Sequence, residues 1–307
     1  MKSVTEGKKM FASVMVVFAV YAVVFILFED YDRRFIRPFN EASDWHLLLF
    51  SLVVMAGLGW LLHGYARRMD ERISREQQAR HSQMRRELTQ NIAHELKTPV
   101  ASILGYTDTI LGSPQMDEAT RMRFIERTNT QARRLTALLS DISTLNKMDY
   151  APGMMERERI DVSDLVADLV QESQQALAAR QMTFRNCLPQ DICILGNWQL
   201  LYSVFRNLTD NAINYAGTGA VVELSAEPVA GGWHFTFSDS GAGVSAEHLP
   251  RLFERFYRVD KGRSRDMGGT GLGLAIVKNA VLLHGGSISV ARSPLGGLQF
   301  DFTLSVK

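Results

Sequence analysis

The chain has 307 residues, and its 34 Lys and Arg residues nearly balance its 33 Asp and Glu residues. This balance argues against a nucleic-acid-binding protein that is held by bulk positive charge. Apolar residues make up 46% of the chain, which excludes wholesale disorder. Two cysteines, Cys187 and Cys193, are too few for a disulfide scaffold, so we expect reduced thiols.

Two apolar runs dominate the first part of the chain. Residues 11–28 carry no charge and, as a helix, would span about 27 Å, close to the thickness of a bilayer's hydrocarbon core. Residues 46–64 form the second run, with Trp45 and Trp60 near its ends, where indole rings favour the membrane interface. A cleaved signal peptide is the alternative for the first run, but no small-residue cleavage site follows it.

We therefore predict a membrane region over residues 1–65, with two transmembrane helices and a short extracytoplasmic loop at 29–45. Positive charges flank the two runs on their outer sides, which favours both termini on the cytoplasmic side of the inner membrane. The protein would be a multi-pass protein in contact with membrane lipid, and its catalytic part would lie in the cytoplasm. The loop is far too short to fold as a sensor domain. The flanking charges are Lys2, Lys8, Lys9, Arg67, Arg68, Arg72 and Arg75.

The segment after the second run has the composition of a long helix. No Pro or Gly occurs between Ala66 and Pro99. We therefore predict a helical linker at 66–81 that continues into a helix ending near Gly112.

A second helix is predicted at 117–148, after a turn at Ser113-Pro114. Its apolar residues alternate steps of three and four, which is a heptad pattern. Two antiparallel helices with one apolar stripe each make a poor core, whereas two copies make a four-helix bundle. We therefore predict a dimerisation domain at 82–149 and a homodimer. The stripe consists of Ile125, Thr128, Ala132, Leu135, Leu139 and Ile142.

The pattern changes to mixed α/β in residues 150–307. We predict helices at 162–179 and 198–215, short strands between them, a hairpin across 221–239 and two closing strands. A segment of this length is enough for a single α/β sandwich.

The segment NIAHELKTP places three reactive side chains on one helix. His94 can present a ring nitrogen as a nucleophile near neutral pH, and Glu95 can accept the proton of the other nitrogen. Thr98 lies one helical turn away, and Pro99 should bend the helix just beyond the histidine. A solvated surface histidine is the alternative interpretation of this segment taken alone.

The segment RNLTDNAINY carries a polar stripe on the second predicted helix of the α/β part. Asn207, Asn211 and Tyr215 are spaced by four. The two carboxamide oxygens can hold a hydrated Mg²⁺ whose remaining ligands are nucleotide phosphates. A polar helix flank is the alternative.

The segment DSGAG follows a predicted strand. Asp239 can accept a hydrogen bond from an exocyclic amine such as that of adenine, and Gly241 and Gly243 allow a close approach of the backbone. Taken alone, this is a weak signal because many turns have the same composition.

A second glycine cluster, GGTGLGLAIVK, opens a helix whose first amides can bind phosphate. It is neither a Walker A loop nor a dinucleotide-binding fingerprint. The stretch between the two clusters, which includes FERFYR, predicts a mobile lid over a ligand, and its Arg258 and Lys261 could contact phosphate oxygens. A solvated basic loop is the alternative. The candidate residues of the cluster are Gly269, Thr270, Gly271, Leu272 and Gly273.

In this order, the segments resemble the sequence boxes of the membrane-bound sensor histidine kinases of two-component systems, over nearly the whole chain. The resemblance implies an α/β ATP-binding domain of the histidine kinase, chaperone and topoisomerase ATPase type at 150–307. It implies ATP and Mg²⁺ as cofactors and a response regulator, with its receiver domain, as partner. The helical pair is most similar to that of kinases of the phosphate-regulon type.

The same resemblance implies a role for each candidate residue. His94 would be phosphorylated, Glu95 would act as acid and base, and Thr98 would position water for dephosphorylation of the partner. Asp239 would read adenine and Arg258 would contact the γ-phosphate. The Mg²⁺ ligands would be Asn207 and Asn211, and the other ATP-binding residues would be Tyr215, Gly241, Gly243, Lys261 and the second glycine cluster.

The chain departs from the family pattern at two positions. Asn214 stands where the family often has Lys, which puts one phosphate contact in doubt, and Leu88 stands where an aromatic residue is common. Two other functions compete with that of a kinase. A chaperone or topoisomerase-type ATPase does not require NIAHELKTP on a dimerising helix, so this segment argues against it. A non-catalytic receptor that binds ATP does not require the catalytic residues, yet this chain has a residue for each catalytic role.

Overall fold

The computed structural model describes residues 19–36, 45–150, 156–259 and 269–306. The chain divides into two compact units, residues 1–86 and residues 87–307. Helix α1 comprises residues 19–31 and is followed by a π-helical turn at Asp32–Ile36. Helix α2 runs from Trp45 to Gly112 and so belongs in part to each unit.

No helix within the described ranges is long and apolar enough to cross a membrane. The first predicted span lies partly outside the described residues, because these begin at residue 19. The second predicted span, 46–64, lies within α2. The predicted loop differs from the structure at its start, where residues 29–36 are helical, and residues 37–44 lie outside the described residues.

Helices α2 and α3 form the predicted helical hairpin. Helix α2 ends at Gly112 as expected, and α3 spans Glu118–Tyr150, two residues longer at its end than predicted. Asp117 begins α3 by accepting a hydrogen bond from the Thr120 amide at 2.8 Å, which satisfies one of the helix's free donors.

The buried face of α3 is not the predicted apolar stripe. Leu138, Leu145 and Met148 are buried and join the core of the α/β domain, whereas Ile125 and Leu139 of the stripe are 46% and 50% exposed. The reason is that the α/β domain packs against α3 and covers a different side of this helix. Within one chain, three residues of the stripe are exposed and three are half-buried.

Within the described residues, the α/β domain has two sheets and three long helices. The larger sheet has five strands in the order β2-β4-β5-β7-β6, in which β2 and β4 are parallel and the other neighbours are antiparallel. The smaller sheet pairs β1 with β3. The helices are α4 (Val162–Ala179), α5 (Trp198–Tyr215) and α6 (Gly273–Leu283). The strands are β1 (Glu158–Asp161), β2 (Thr183–Cys187), β3 (Cys193–Gly196), β4 (Val221–Val229), β5 (Gly232–Asp239), β6 (Ile288–Arg292) and β7 (Leu298–Ser305).

Local sequence explains the helix starts and the layered core. Asp161 caps α4 by accepting from the amides of Ser163 and Asp164, and Asn197 caps α5 in the same way. Phe205 of α5 packs against two phenylalanines of the central strands, Phe235 and Phe302, with ring centroids 5.7 and 5.8 Å away. The alternation of buried and half-buried residues along β7 directs one face of the sheet towards these helices.

Strand β1 and the parallel pairing of β2 were not predicted. The β1 sequence, ERID, contains one buried apolar residue, Ile160, so it shows no alternation long enough to predict a strand. Its strand conformation depends on pairing with β3, in the register Ile160 to Ile194.

A buried histidine ties the end of α6 to the start of α5. His284 Nε2 accepts from the Asn197 amide at 3.1 Å, and its Nδ1 donates to the Ala280 carbonyl at 2.7 Å. A Cβ at Gly196 would lie 2.5 Å from the ring, so the chain needs glycine there. Burial lowers the pKa of His284 from its ordinary value of 6.5. The ring is therefore neutral, and both of its nitrogens hold the backbone.

The state of His284 makes stability depend on pH. Because the unfolded chain binds a proton at this residue more readily than the folded chain, the free energy of unfolding should decrease as pH falls below about 6.5. His284→Gln keeps an acceptor but does not titrate, so we expect lower stability at pH 7.5 and a weaker decline between pH 7 and pH 5.5.

Urea unfolding followed by tryptophan fluorescence at each pH measures this effect. His234→Gln, which replaces a half-buried histidine on β5, is the matched control and should keep the wild-type decline. An equal decline in His284→Gln and wild type would contradict the assignment.

Candidate active site

The phosphoacceptor candidate lies on an open face of α2. His94 is exposed, and the Thr98 hydroxyl donates to the His94 carbonyl at 3.3 Å. Pro99 is buried inside the continuing helix, where it lacks the amide that would bond to the carbonyl four residues earlier. The imidazole is therefore accessible to a second reactant.

Glu95, next to the histidine, lies between two arginines. Arg258 Nη2 donates to Glu95 Oε2 at 3.0 Å, and Arg134 Nη2 of α3 lies 3.6 Å from the same oxygen. The side chains of Arg258, Arg134 and Glu95 are 6%, 11% and 19% exposed. The structure thus brings together two sequence-predicted residues, Glu95 and Arg258, that are 163 positions apart. Arg134 was missed because it is one of several arginines on a polar helix.

Two further hydrogen-bonded contacts join α3 to the α/β domain, and in both a carboxylate of the hairpin is the acceptor. The Thr270 hydroxyl donates to Asp141 Oδ2 at 2.7 Å, and Arg255 Nη2 donates to both carboxylate oxygens of Asp149 at 2.9 Å. Burial raises the pKa of Asp141, and the Thr270 hydroxyl bond opposes that rise. In each contact the hairpin supplies a carboxylate and the α/β domain supplies the donor.

The asparagine stripe of α5 lies against the start of α6. Asn207 Nδ2 donates to the Ser203 carbonyl at 2.7 Å and to its hydroxyl at 3.0 Å, which leaves Oδ1 as a possible ligand. A Cβ on Gly273 would lie 2.5 Å from this Oδ1, so the two sequence motifs meet here. Asn211 is half-buried, and Tyr215 at the end of the helix is 45% exposed.

Asp239 lies at the end of β5 and is buried. Its Oδ1 accepts from the Gly241 amide at 2.8 Å, and burial raises the pKa of its carboxyl while backbone hydrogen bonds oppose the rise. A Cβ on Gly297 would lie 1.8 Å from Asp239 Oδ1. Gly297 was missed, although the Gly-Gly pair before the last strand is visible in the sequence. Gly243 adopts a positive φ of 67°.

The two ends of the predicted lid meet at its base. The Phe256 amide donates to the Gly271 carbonyl at 2.8 Å, and both residues have positive φ, 64° and 73°. A Cβ on Gly271 would lie 3.1 Å from Arg258 Nε. Leu272 is buried beside them and its amide donates to the Thr270 hydroxyl at 3.2 Å, whereas Lys261 lies outside the described residues.

These residues fit a nucleotide and its magnesium ion. Arg258 Nε is buried and has no hydrogen-bond partner among the described residues, so a phosphate oxygen beside Gly271 would satisfy it. Carboxamide oxygens such as Asn207 Oδ1 are suitable Mg²⁺ ligands when phosphates complete the shell. Asn214, which stands where the family often has Lys, is half-buried on the same helix.

Two protein-family models match the chain. Residues 84–151 match the His Kinase A (phospho-acceptor) domain. Residues 196–307 match the histidine kinase-, DNA gyrase B- and HSP90-like ATPase. The first match contains His94 and the second contains the asparagine stripe and both glycine clusters.

Curated relatives align with most of the chain. The chain is 35% identical to the sensor-like histidine kinase SenX3 of Mycolicibacterium smegmatis, over 75% of the chain and 60% of SenX3. It is 33% identical to the phosphate regulon sensor protein PhoR of Pseudomonas aeruginosa, over 71% of the chain and 49% of PhoR. The chain therefore spans half to three fifths of the length of these relatives.

Solved structures share the fold. Histidine kinase AdeS of Acinetobacter baumannii aligns with a TM-score of 0.57 at 24% identity, over 70% of the chain and 98% of the AdeS chain. Full-length ShkA, solved with AMPPNP, aligns with a TM-score of 0.52 at 21% identity, over 70% of the chain and 45% of ShkA. With a phosphoacceptor domain followed by an ATPase domain, and with relatives of the SenX3 and PhoR type, the chain belongs to the sensor histidine kinases.

Proposed function

We propose that this protein uses ATP to phosphorylate His94 and then passes the phosphoryl group to an aspartate in the receiver domain of a response regulator. The observation that carries the proposal is the Glu95–Arg258 hydrogen bond of 3.0 Å. It joins the residue beside the phosphoacceptor to the base of the nucleotide lid. A chaperone-type ATPase has no need of such a contact.

The α/β domain supplies the nucleotide site. Asp239, buried at the end of β5, accepts from the adenine amine. Asn207 and Asn211 would hold Mg²⁺, and the amides at the start of α6 would face the phosphates. Bound Mg²⁺ offsets the charge of the phosphates, which favours attack on them. Tyr215, Gly241, Gly243, Lys261 and the residues 269–273 complete the site.

The transfer moves one phosphoryl group and one proton. A ring nitrogen of His94 forms a bond to the γ-phosphorus while the bond from that phosphorus to the bridging oxygen breaks, and ADP leaves with the electron pair. The proton on the other ring nitrogen passes to Glu95. Arg258 then releases the Glu95 carboxylate and binds the transferred phosphate. Its buried Nε–H, which has no hydrogen-bond partner among the described residues, favours this exchange.

We also propose the domain roles. Residues 82–149 form a homodimeric four-helix bundle and residues 150–307 bind ATP. The exposed apolar side chains of both hairpin helices support a dimer, because a second copy would cover them. They include Leu104, Leu111, Met122, Ile125 and Leu139, which are 46–78% exposed. Thr98, one turn from His94, positions water in the reverse, phosphatase reaction.

The first unit is proposed to hold the protein in the cytoplasmic membrane through helices at 11–28 and 46–64, with the linker at 66–81 leading to the bundle. The uncharged run at 11–28 supports this proposal. So do exposed apolar side chains on α1 and the first part of α2, such as Leu27, Leu52, Val53 and Trp60, which are 64–77% exposed.

His94→Gln should abolish autophosphorylation, because the glutamine amide is not a nucleophile. The full chain is incubated with ATP labelled on its γ-phosphate, and protein-bound label is tested for lability in acid and stability in base. His234→Gln serves as the matched control and should keep the label. Label that survives His94→Gln would refute the proposal, and release of free phosphate without labelled protein would favour the chaperone-type ATPase.

Asp239→Asn should weaken ATP binding at least tenfold, about 1.4 kcal/mol. The asparagine oxygen is a weaker hydrogen-bond acceptor than a carboxylate, and the asparagine NH₂ group would place a second donor against the adenine amine. Titration with a fluorescent ATP analogue measures the dissociation constant. Asp301→Asn removes another half-buried carboxylate, on β7, and should bind ATP as the wild type does. Equal affinities in the Asp239→Asn variant and the wild type would contradict the assignment.

A further inference from the structure

Glu95 is held from two sides, and the two arginines belong to different parts of the molecule. Arg258 lies at the base of the lid in the α/β domain, and Arg134 lies on α3, which forms one hairpin with the helix that carries Glu95. Both guanidinium groups face the same oxygen, Oε2, at 3.0 and 3.6 Å. At these distances Arg258 makes the hydrogen bond and Arg134 contributes the nearby charge.

We propose that Arg134 is a positioning residue for Glu95, holding this carboxylate beside His94 when Arg258 turns to the phosphate. The inference rests on the proposed autophosphorylation of His94. In the transfer, Arg258 is required at the nucleotide and so leaves Glu95. A carboxylate that is 19% exposed then needs another cation nearby, since an unpaired charge is costly at such a site.

Arg134 fits this role because of where it is attached. Its helix packs in the same hairpin as α2, so a movement of the α/β domain leaves it beside Glu95. Its side chain is 11% exposed, which limits its freedom and reduces solvent screening of its charge. A shift of less than about 1 Å would bring its Nη2 into hydrogen-bond distance of Glu95 Oε2.

The positive charge of Arg134 also bears on proton transfer from His94. A base must be ionised before it accepts the proton of His94, and a nearby arginine favours the ionised carboxylate. Without Arg134, the Glu95 carboxylate would lack this nearby positive charge once Arg258 has left. The acid side of the pH–rate profile should then move to higher pH, whereas a purely structural arginine would leave the profile in place.

The experiment compares four full-length proteins: wild type, Arg134→Gln, Arg134→Lys and Arg133→Gln. Arg133 is exposed on the same helix and is the matched control. The initial rate of His94 phosphorylation is measured at saturating ATP from pH 6 to pH 9. For Arg134→Gln we expect kcat to fall about tenfold, KM for ATP to change less than kcat, and the acid limb of the profile to move to higher pH. Arg134→Lys should restore most of the rate, and Arg133→Gln should match the wild type.

A double variant tests whether Arg134 acts through Glu95. Glu95→Gln combined with Arg134→Gln should be no slower than Glu95→Gln alone, because the group that Arg134 positions is already absent. Additive losses would overturn the proposal, as would an Arg134→Gln variant with wild-type kcat and pH profile. A lowered melting temperature with an unmoved pH profile would assign Arg134 a structural role and also overturn it. Failure of the wild type to form phosphohistidine would instead refute the proposed function.

Discussion

The ion pair between Glu95 and Arg258 is the interaction on which the functional arrangement depends. Both side chains are largely removed from solvent, so each charge requires its partner far more than a surface pair would. Two similar contacts, Asp141–Thr270 and Asp149–Arg255, lie on the other hairpin helix, α3. Together they hold the α/β domain against the hairpin with its lid base at the phosphoacceptor segment. The apolar contacts of Leu138, Leu145 and Met148 complete this surface.

The direction of these hydrogen bonds, from the α/β domain to carboxylates of the hairpin, relates them to nucleotide binding. In each of them a carboxylate of the hairpin accepts from a donor of the α/β domain, and Arg258 and Thr270 are also the donors proposed for ATP phosphates. A phosphate and a carboxylate compete for the same guanidinium because both are anions that accept charge-assisted hydrogen bonds. If these donors bind the ATP phosphates as proposed, nucleotide binding and contact with the hairpin are coupled through shared side chains. The buried Nε of Arg258 has no hydrogen-bond partner among the described residues. A phosphate that binds this Nε would therefore be favoured over the carboxylate.

Elements defined by local sequence were predicted well. The bounds of α4 and α5 agree with prediction, because Asp161 and Asn197 are capping residues placed directly before amphipathic stretches. The hairpin of β4 and β5 was predicted at its Gly-Gly turn. The heptad stripe of α3 is predicted to face a second copy, and the face buried within one chain is a different one that includes Leu138 and Leu145. A periodic pattern shows which residues are apolar, but the partner that covers each of them depends on the fold.

The sequence by itself determined the family, the order of its parts and most residues of the candidate site. Motifs such as NIAHELKTP carry that information in neighbouring positions, because a helix or a turn fixes their relative geometry. Only the tertiary structure decided that Arg134 and Arg258 share one oxygen of Glu95, that Asp141 accepts from Thr270, and that Gly297 lies against Asp239. These contacts join segments far apart in the chain, so their geometry is set by domain packing and strand order.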